Sequence, residues 1–421
     1  MRVLIDYRPA LRERSGVGEY THELVKALLA AYPPTRPESG FELSLFSSSW
    51  KDRLVPAPEL AGATIVDRQI PVRLLNLAWH RLGWPPAETL AGGAYDVTHS
   101  LHPLLLPARA AAQVITIHDL SFLKHPDRTR AEIRRDYPAL ARDHAHRADA
   151  IIVPSAYTGA EVERVLGVPR ERIVVGSPGA PAWTPRAAAP KDGYVLFFGT
   201  LEPRKNVGGL LDAYELLVGT AKAAPYDGEL VGTAKAAPYN GEYAGRYNGE
   251  YVGHPFRGAV PDLVLAGRAT DEARPWLERL ARPPLQGMVR HIGYVDPRDR
   301  RALYEGARLL VQPSFDEGFG IPVLEAMSLG VPVVAANRGS LPQVVGDAGP
   351  LVDPEDPAAL ANAIARLLSD DAYAAACAAK GLVRARNFRW DETAHRVYDT
   401  YRQAIARRAE KRGTTPFQSR H

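Results

Sequence analysis

Short apolar runs alternate with amphipathic stretches along most of the chain, and this alternation limits the possible folds more than any other feature. In the first half, apolar runs such as 3–5 and 150–153 are followed by turn residues and then by apolar positions at helical spacing. Strand, turn, helix and strand in succession are typical of a parallel sheet with helices on both faces. The pattern therefore predicts an α/β fold made of Rossmann-like, doubly wound domains.

The alternation stops at a proline-rich stretch and then starts again. Several prolines interrupt residues 181–192, which indicates an interdomain linker. We therefore predict an N-terminal domain over 1–180 and a second α/β domain over 193–390. Residues 391–421 are predicted to form a C-terminal helix with a polar tail. The length of 421 residues agrees with two domains, because it is about three times the commonest domain size.

A repeated segment interrupts the second domain. Residues 218–226 recur without change at 231–239, and Asn-Gly-Glu-Tyr also occurs twice nearby. Solenoid repeats have longer periods and place an apolar face in each unit, which these residues lack. We interpret residues from about 218–255 as a low-complexity insertion on the surface. An acceptor-binding or partner-binding arm is the alternative.

Composition excludes several classes of protein. The balance of 52 basic and 48 acidic residues gives a net charge of +4, too small to imply a nucleic-acid partner. The single cysteine, Cys377, excludes a disulfide within the chain and favours a reducing compartment. No apolar run is long enough to span a membrane, and Asp6 interrupts the first run too early for a signal peptide. We expect a cytoplasmic protein.

The densest cluster of candidate site residues follows the apolar run 309–311. Its members are Glu317, Gly318, Phe319, Gly320, Ile321 and Glu325. The glycines would let a ligand approach the backbone, and the free amides where a helix begins favour a phosphate. The two carboxylates suit a hydroxyl-rich ligand such as a sugar or ribose. On spacing alone, a helix cap beside a solvated glutamate is the better explanation.

A second cluster follows the run 194–198, the first predicted strand of the second domain. Gly199 makes the turn, and Arg204 and Lys205 are adjacent cations beyond it. Arginine binds phosphate oxygens in bidentate fashion, and lysine adds a compact charge. A lone Arg-Lys pair usually lies in a solvated loop. Because the Glu317 loop is predicted to lie on the same sheet edge as this pair, a diphosphate-binding site is the better explanation.

The first domain carries weaker signals. His118 and Asp119 follow a predicted strand, where a histidine could contact a substrate hydroxyl or move a proton. A lone histidine is more often structural. Gly16 and Gly18 follow the first strand, yet Gly-x-Gly-x-x-Gly is incomplete because residue 21 is Thr21. These glycines therefore indicate a loop close to a phosphate or an acceptor and not a NAD site.

Three of these elements together resemble the retaining glycosyltransferases of family 4. They are the Glu-x7-Glu element 317–325, the Glu-Pro-Arg-Lys-Asn run 202–206 and the pair His118-Asp119, at similar separations. The resemblance covers roughly residues 1–217 and 263–408, and the repeated insertion departs from it. It implies a GT-B architecture, with two Rossmann-like domains facing a central cleft. It also implies a final helix that crosses back to the N-terminal domain.

The resemblance also implies roles for the residues of the second domain. Arg204 and Lys205 would neutralise the diphosphate leaving group. Glu317 and the backbone amides of residues 318–320 would hold the sugar hydroxyls, and Glu325 would hold the ribose hydroxyls.

The remaining implied roles are less closely tied to the motif. His118 would contact the transferred sugar near its anomeric centre, and Gly16 and Gly18 would lie close to the phosphates or the acceptor. Gly199 would turn the chain beside the donor, and Tyr294 would border the base.

The implied reaction moves a sugar from a nucleotide-diphosphate donor to a glycan or a lipid-linked acceptor, as in polysaccharide or lipopolysaccharide biosynthesis. GDP-mannose is the favoured donor, and UDP-glucose or another UDP-sugar is the alternative. A nucleotide-sugar epimerase and a non-catalytic nucleotide-sugar-binding partner stay open. No cofactor is expected, since the nucleotide sugar is a substrate, and the resemblance implies that no metal is required.

Residues 73–84 suggest that a lipid-linked acceptor is bound at a membrane surface. They are basic, apolar and aromatic, as in a helix that lies at a membrane interface. Four arginines between positions 128 and 135 add positive charge in the same domain. We expect peripheral contact with the inner face of the cell membrane. An ordinary helix packed on the core is the alternative.

Overall fold

Two separate parallel sheets organise the chain. The structure, a computed structural model, describes residues 1–11, 14, 16–34, 40–55, 57–124, 131–223 and 260–413. These residues form two compact units. The first holds the described residues of Met1–Ala180, Glu317–Ile321 and Asn387–His421, and the second holds those of Pro181–Asp316 and Pro322–Arg386.

The sheet of the first unit has seven strands. They are β1 (Arg2–Asp6), β2 (Glu42–Ser48), β3 (Thr64–Arg68), β4 (Val97–Ser100), β5 (Ala112–Thr116), β6 (Ala150–Val153) and β7 (Ile173–Val175). All neighbours pair in parallel, in the order β3-β2-β1-β4-β5-β6-β7. The direction in which strands are added reverses between β1 and β4. Ligands of open α/β sheets bind outside the carboxyl ends of the strands at such a reversal.

Helices connect these strands. They are α1 (Val17–Ala31), α2 (Val72–Leu77), α3 (Ala87–Ala91), α4 (Ser121–Lys124), α5 (Ala131–Arg147) and α6 (Ala156–Leu166). A π-helical turn, Ala78–Leu82, continues α2 directly. Helix α6 begins after Ser155, whose Oγ accepts the N–H of Thr158 at 3.1 Å. This side chain caps the helix by satisfying a backbone donor that the helix itself cannot pair.

The second unit repeats the architecture with six strands. They are β8 (Tyr194–Phe198), β9 (Leu263–Ala266), β10 (Val289–Gly293), β11 (Ala307–Gln312), β12 (Val333–Ala336) and β13 (Leu351–Val352). They pair in parallel in the order β10-β9-β8-β11-β12-β13, with the reversal between β8 and β11. The predicted fold class, two doubly wound Rossmann-like domains, is confirmed.

The helices of this part of the chain follow the same alternation. They are α7 (Val207–Ala223), α8 (Arg274–Leu280), α9 (Pro297–Glu305), α10 (Ile321–Ser328), α11 (Leu341–Val345), α12 (Pro357–Ser369) and α13 (Asp371–Ala385). The residues predicted to form a linker, 181–192, belong to the second unit, where the N–H of Arg186 donates to the carbonyl of Leu329 at 3.1 Å.

The last described helix, α14 (Trp390–Lys411), belongs to the first unit. Its residues Val397 and Tyr401 are fully buried in the core that surrounds β1, β2 and β4. The hydroxyl of Tyr401 lies 2.8 Å from Nδ1 of His99. Within the described ranges, none of the helices combines the length and the hydropathy that crossing a bilayer requires.

The predicted insertion at about 218–255 is described only at its beginning. Helix α7 continues to Ala223, so the first residues of the repeated sequence are helical. Residues 224–259 lie outside the described residues, and the prediction of a surface insertion is untested there.

Candidate functional site

The loops that follow β8 and β11 meet where the strand order of the second sheet reverses. Arg204 lies in a 3-10 turn, Pro203–Lys205, and its Nη1 donates to the carbonyl of Asp316 at 2.8 Å. The N–H of Phe315 donates in turn to the carbonyl of Arg204 at 2.9 Å. Nη2 of Arg204 forms an ion pair with Glu202 at 2.7 Å. These contacts fix the direction of the guanidinium at the carboxyl edge of the sheet.

Lys205 is a buried cation in the same turn. Lys205 is only 9% exposed. Its side chain runs along Gly199, where an added Cβ would lie 3.7 Å from the Cε of Lys205. The N–H of Gly199 donates to the carbonyl of Ala266 at 2.9 Å, which ties the turn after β8 to β9. The structure therefore brings Gly199, Arg204 and Lys205 together in the turn after β8.

Asn206 holds the turn in place. It has a left-handed backbone, with φ of 56°. Its Nδ2 donates to the carbonyl of Pro354 at 2.7 Å, and its Oδ1 accepts the N–H of Gly209 at 3.2 Å. The second bond caps the start of α7. Asparagine is among the few residues that adopt this conformation readily.

Glu325 is buried in α10 between two donors from α9. Nη1 of Arg300 donates to its Oε1 at 2.9 Å, and the hydroxyl of Tyr304 donates to its Oε2 at 2.7 Å. The Arg300 guanidinium also lies 5.8 Å from the centre of the Phe198 ring. An ionised carboxylate has about four acceptor positions, so these two bonds leave capacity for ligand hydroxyls.

Arg300 and Tyr304 are not among the residues predicted from the sequence. They stand four residues apart, which places them on one face of α9. That spacing was the available signal. Their partner, Glu325, is distant in sequence, so nothing local in the chain indicated the contact.

The loop Glu317–Ile321 belongs to the first unit, and Gly318 is its tightest point. The carbonyl of Gly318 accepts bonds from Oγ of Ser155 at 2.7 Å and from Oγ1 of Thr158 at 3.1 Å. A Cβ added to Gly318 would lie 1.8 Å from the carbonyl oxygen of His118. Glycine is therefore required here, because any side chain would displace the loop.

The other residues of this loop are largely enclosed. Glu317 and Phe319 are buried, and the Phe319 ring meets that of Phe388 edge-on with centroids 5.4 Å apart. Gly320 precedes α10, which begins at Ile321. The structure thus places Glu317, Gly318, Phe319 and Gly320 against the first unit, whereas Arg204, Lys205 and Glu325 belong to the second.

His118 follows β5 and adjoins this loop. Its Nε2 donates to the carbonyl of Leu101 at 3.1 Å, and its ring meets that of Tyr20 edge-on at 5.0 Å. Burial lowers the pKa of His118 to about 4, so the ring is neutral at pH 7. Its neighbour Asp119 accepts the N–H of Ser121, the first residue of α4, at 3.0 Å.

Gly18 lies in a helix where the sequence predicts a loop, and Tyr294 lies apart from the turn after β8. Gly16 precedes α1, but that helix begins at Val17, so Gly18 is a buried residue of its first turn and not part of a loop. The sequence missed this start because two glycines disfavour a helix locally. Tyr294 follows β10, the edge strand of the second sheet, two strands away from the turn after β8.

Asp6 is a buried carboxylate at the corresponding reversal of the first sheet, and it is not among the predicted site residues. Nε and Nη2 of Arg8 donate to its two oxygens at 2.8 and 2.7 Å, and Nε2 of His102 lies 3.3 Å away. Burial alone would raise the pKa of Asp6, but Arg8 and His102 hold it well below its usual range. Its position directly after a buried strand was the available signal.

Solved structures with the same architecture identify the class of fold. Sucrose-phosphate synthase from Thermosynechococcus elongatus gives a TM-score of 0.70 at 21% identity, covering 96% of this chain and 99% of that chain. WaaG, a glycosyltransferase involved in lipopolysaccharide biosynthesis, gives 0.63 at 13% identity, covering 95% and 99%. The chain thus has the GT-B fold.

Sequence comparison identifies the family within that class. O-antigen chain mannosyltransferase B from Escherichia coli is 30% identical over 422 residues, covering 96% of this chain and 100% of that protein. A D-inositol 3-phosphate glycosyltransferase from Acidothermus cellulolyticus is 27% identical over 95% of this chain and 88% of its own. The family models "Glycosyltransferase Family 4" and "Glycosyl transferases group 1" match residues 14–181 and 254–370. The chain belongs to the group 1 glycosyltransferases, and the predicted enzyme class, a glycosyltransferase, is confirmed.

Buried histidines of the first unit predict a loss of stability in acid. Burial lowers the pKa values of the following residues to between about 3 and about 4: His22, His80, His99, His118 and His144. In the unfolded chain the pKa of each histidine is about 6.5, so unfolding takes up protons at pH values between the folded and the unfolded pKa. As pH falls from 6.5 towards 4, each histidine should lower the free energy of unfolding by up to about 1.4 kcal/mol per pH unit.

Urea denaturation at a series of pH values measures this dependence. The variant His99→Gln removes one titrating group and should give a shallower slope. An unfolding midpoint that stays constant from pH 7 to pH 5 would contradict the prediction.

The buried Arg300–Glu325 pair makes a second prediction about stability. Arg300→Met should lower the free energy of unfolding by about 3–5 kcal/mol, because Glu325 would stay buried without its cation. The double variant Arg300→Met/Glu325→Leu should recover most of that loss. Urea denaturation measures both. The exposed pair Arg301–Glu305 on the same helix is the control, and Arg301→Met should cost under about 1 kcal/mol. Equal costs for the two single variants would contradict the prediction.

Proposed function

We propose that this glycosyltransferase moves a hexosyl group, with retention of configuration, from a nucleotide-diphosphate donor to a glycan or lipid-linked acceptor. The observation that carries the proposal is the pair of cations, Arg204 and buried Lys205, at the strand-order reversal of the second sheet. GDP-mannose is the proposed donor. The full-length relative named as a mannosyltransferase supports this choice.

The two cations act on the leaving group. When the bond between the sugar and the diphosphate breaks, the bonding electrons stay on the diphosphate and negative charge grows there. Arg204 is already oriented by Asp316 and Glu202, so its guanidinium needs little reorganisation to meet that charge. Lys205 adds a second positive charge where water is largely excluded, which strengthens its interaction with the phosphate. The proposed reaction requires no resident metal, since these side chains supply the positive charge.

Other residues hold the donor. Glu317 and the amides of residues 318–320 are proposed to bind the sugar hydroxyls. Glu325 is proposed to bind the ribose hydroxyls, and its fixation by Arg300 and Tyr304 supports this role because a held carboxylate is pre-organised.

Neutral His118 is proposed to contact the transferred sugar. Its Nε2–H is occupied by Leu101, so Nδ1 is the acceptor of the neutral ring. The acceptor hydroxyl attacks the anomeric carbon from the face that the diphosphate leaves and passes its proton to the departing diphosphate oxygen, so the configuration is retained.

A peripheral contact with the membrane is the second part of the proposal. The support is an exposed apolar ridge on α2 and the π-helical turn. Its residues, with their exposed fractions, are Val72 (39%), Leu74 (61%), Leu77 (59%), Leu82 (74%) and Trp84 (65%).

The ridge carries exposed cations beside its apolar side chains. Arg73 and Arg81 flank it, as in segments that lie on anionic bilayers. The opposite face of the same segment packs Leu75 and Trp79 into the core. The predicted arginine patch of residues 128–135 lies outside the side chains that the structure describes.

Nucleotide release tests the transferase. The protein is incubated with GDP-mannose or UDP-glucose, with and without a membrane lipid extract as source of acceptor. GDP-mannose should be consumed only with the extract. Lys205→Ala should lower kcat by about 100- to 1,000-fold, because it removes one charge that stabilises the leaving group. Lys380→Ala, which removes an exposed lysine paired with Asp347 in the same unit, is the matched control.

Other outcomes separate the alternatives. Consumption of UDP-glucose in place of GDP-mannose would replace the proposed donor. Conversion of the donor without any acceptor would favour an epimerase. If Lys205→Ala and Lys380→Ala had equal, small effects, the leaving-group role of Lys205 would be wrong.

Vesicle co-sedimentation at low salt tests the membrane contact. The protein should bind vesicles that contain phosphatidylglycerol, and the double variant Leu74→Asp/Leu77→Asp should lose this binding because it places carboxylates on the ridge. Val383→Asp, at an exposed apolar position of the second unit, is the control. Absence of binding by the unaltered protein would contradict the proposal.

A further inference from the structure

A cavity of about 350 Å³ opens beside the apolar ridge, and the proposed donor reaction makes no use of it. Its walls are the π-helical turn Ala78–Leu82, the segment 105–108 and the end of α5. We infer that this cavity binds the phosphate-bearing headgroup of an anionic lipid. The inference rests on the proposed membrane contact and extends it to a specific binding site.

The charge of the cavity selects an anion. Arg81 and Arg147 both line it, and none of the residues found in its wall is an aspartate or glutamate. Nη1 of Arg147 donates to Asp143 at 2.9 Å, an exposed pair on one turn of α5. That bond uses one of the five N–H donors of the guanidinium. Arginine matches phosphate oxygens with two parallel donors.

Two imidazoles provide further polar groups in the wall. The N–H of buried Leu105 donates to Nδ1 of His144 at 2.8 Å, so the neutral ring carries its proton on Nε2. The ring of His80 lies 6.5 Å from that of His144. Burial lowers the pKa of each to about 4. At pH 7 these rings therefore offer polarity without adding two buried charges.

The position of the cavity matches a lipid better than a free ion. Leu82 belongs both to the cavity wall and to the apolar ridge, and its side chain is highly exposed. A lipid whose acyl chains lie beside the ridge would therefore place its phosphate at the cavity. The volume also lies at the lower end of the usual range for small-molecule sites, about 300–1,000 Å³, and so suits a headgroup.

The cavity is also connected to the carboxyl edge of the first sheet. Trp79 forms part of its wall, and the guanidinium of Arg8 lies 4.8 Å from the centre of that ring. Arg8 in turn binds Asp6 at the end of β1. Trp79 thus contacts both the cavity and the Arg8–Asp6 pair.

Calorimetric titration of the full-length protein tests the inference with two probes. Dihexanoylphosphatidylglycerol, below its micellar concentration, represents the lipid, and inorganic phosphate represents the free ion. The lipid should bind at least about tenfold more tightly than phosphate. Arg147→Ala should weaken lipid binding about tenfold, as expected for one lost charge-assisted contact. The matched control is Arg164→Ala, which breaks a comparable one-turn pair with Glu161 outside the cavity and should leave binding unchanged.

A cavity-filling variant gives an independent measurement. Ala108→Phe should abolish binding of the lipid while circular dichroism shows a folded chain. If this variant does not fold, the comparison of Arg147→Ala with Arg164→Ala tests the inference. Equal effects of Arg147→Ala and Arg164→Ala, equal affinities for lipid and phosphate, or absence of lipid binding would each overturn the inference.

A thermal-shift measurement with GDP-mannose and UDP-glucose separates this result from the proposed function. Lipid binding without any response to nucleotide sugars would support the lipid site and contradict the proposed donors. A response to a nucleotide sugar without lipid binding would contradict the lipid site and support the proposed transferase.

Discussion

Parallel pairing of strands is the constraint on which both units depend. A parallel neighbour can be reached only by a crossover, so each strand is followed by a connection that returns to the same starting edge. All carboxyl ends consequently lie along one edge of each sheet. Asp6 and His118 reach that edge in the first sheet, and Arg204 and Lys205 follow a strand that ends there in the second. Site residues collect at these edges because the loops that leave the carboxyl ends of the strands diverge where the strand order reverses and open a crevice there.

Charges near these edges are buried together with partners. Glu325 lies between Arg300 and Tyr304, and Asp6 lies against Arg8. Isolated burial of any of these ions would cost several kcal/mol, and pairing offsets that cost only when the geometry is good. Such pairs hold carboxylates in fixed directions before a ligand arrives. The same arrangement explains why the removal of one partner should be more damaging than the removal of both.

Apolar runs predicted strands whose central residues are apolar, and they gave no sign of the buried polar strand β4. Strands β6 and β8 consist of aliphatic and aromatic residues, as do positions 3–5 of β1, and the sequence indicated each of these runs. Strand β4, with the sequence Val-Thr-His-Ser, is fully buried but mostly polar. Its His99 lies 2.8 Å from both Tyr401 and Thr116, and the first of these is about 300 residues away in the chain. Sequence patterns near His99 contain no sign of that contact, so its burial could not be predicted.

The site shows the same division. The proximity of Gly199, Arg204 and Lys205 could be predicted because it needs only one strand and the turn after it. The fixation of Arg204 by Asp316 depends on the order of strands in the sheet, which places β8 beside β11. Likewise, the need for glycine at 318 comes from the carbonyl of His118, 200 residues earlier. Motif spacing indicated the candidate site residues, and only the fold shows what holds each of them.

The path of α14 has a consequence for synthesis of the chain. Val397 and Tyr401 complete the core of the first unit, yet they are translated about 220 residues after Ala180. At about 5–20 residues per second, roughly 10–40 s pass on the ribosome before that core can close. During this interval an apolar surface on β1, β2 and α1 remains uncovered while the second unit emerges. The core of the first unit therefore cannot be completed until α14 has been synthesised, after the whole of the second unit.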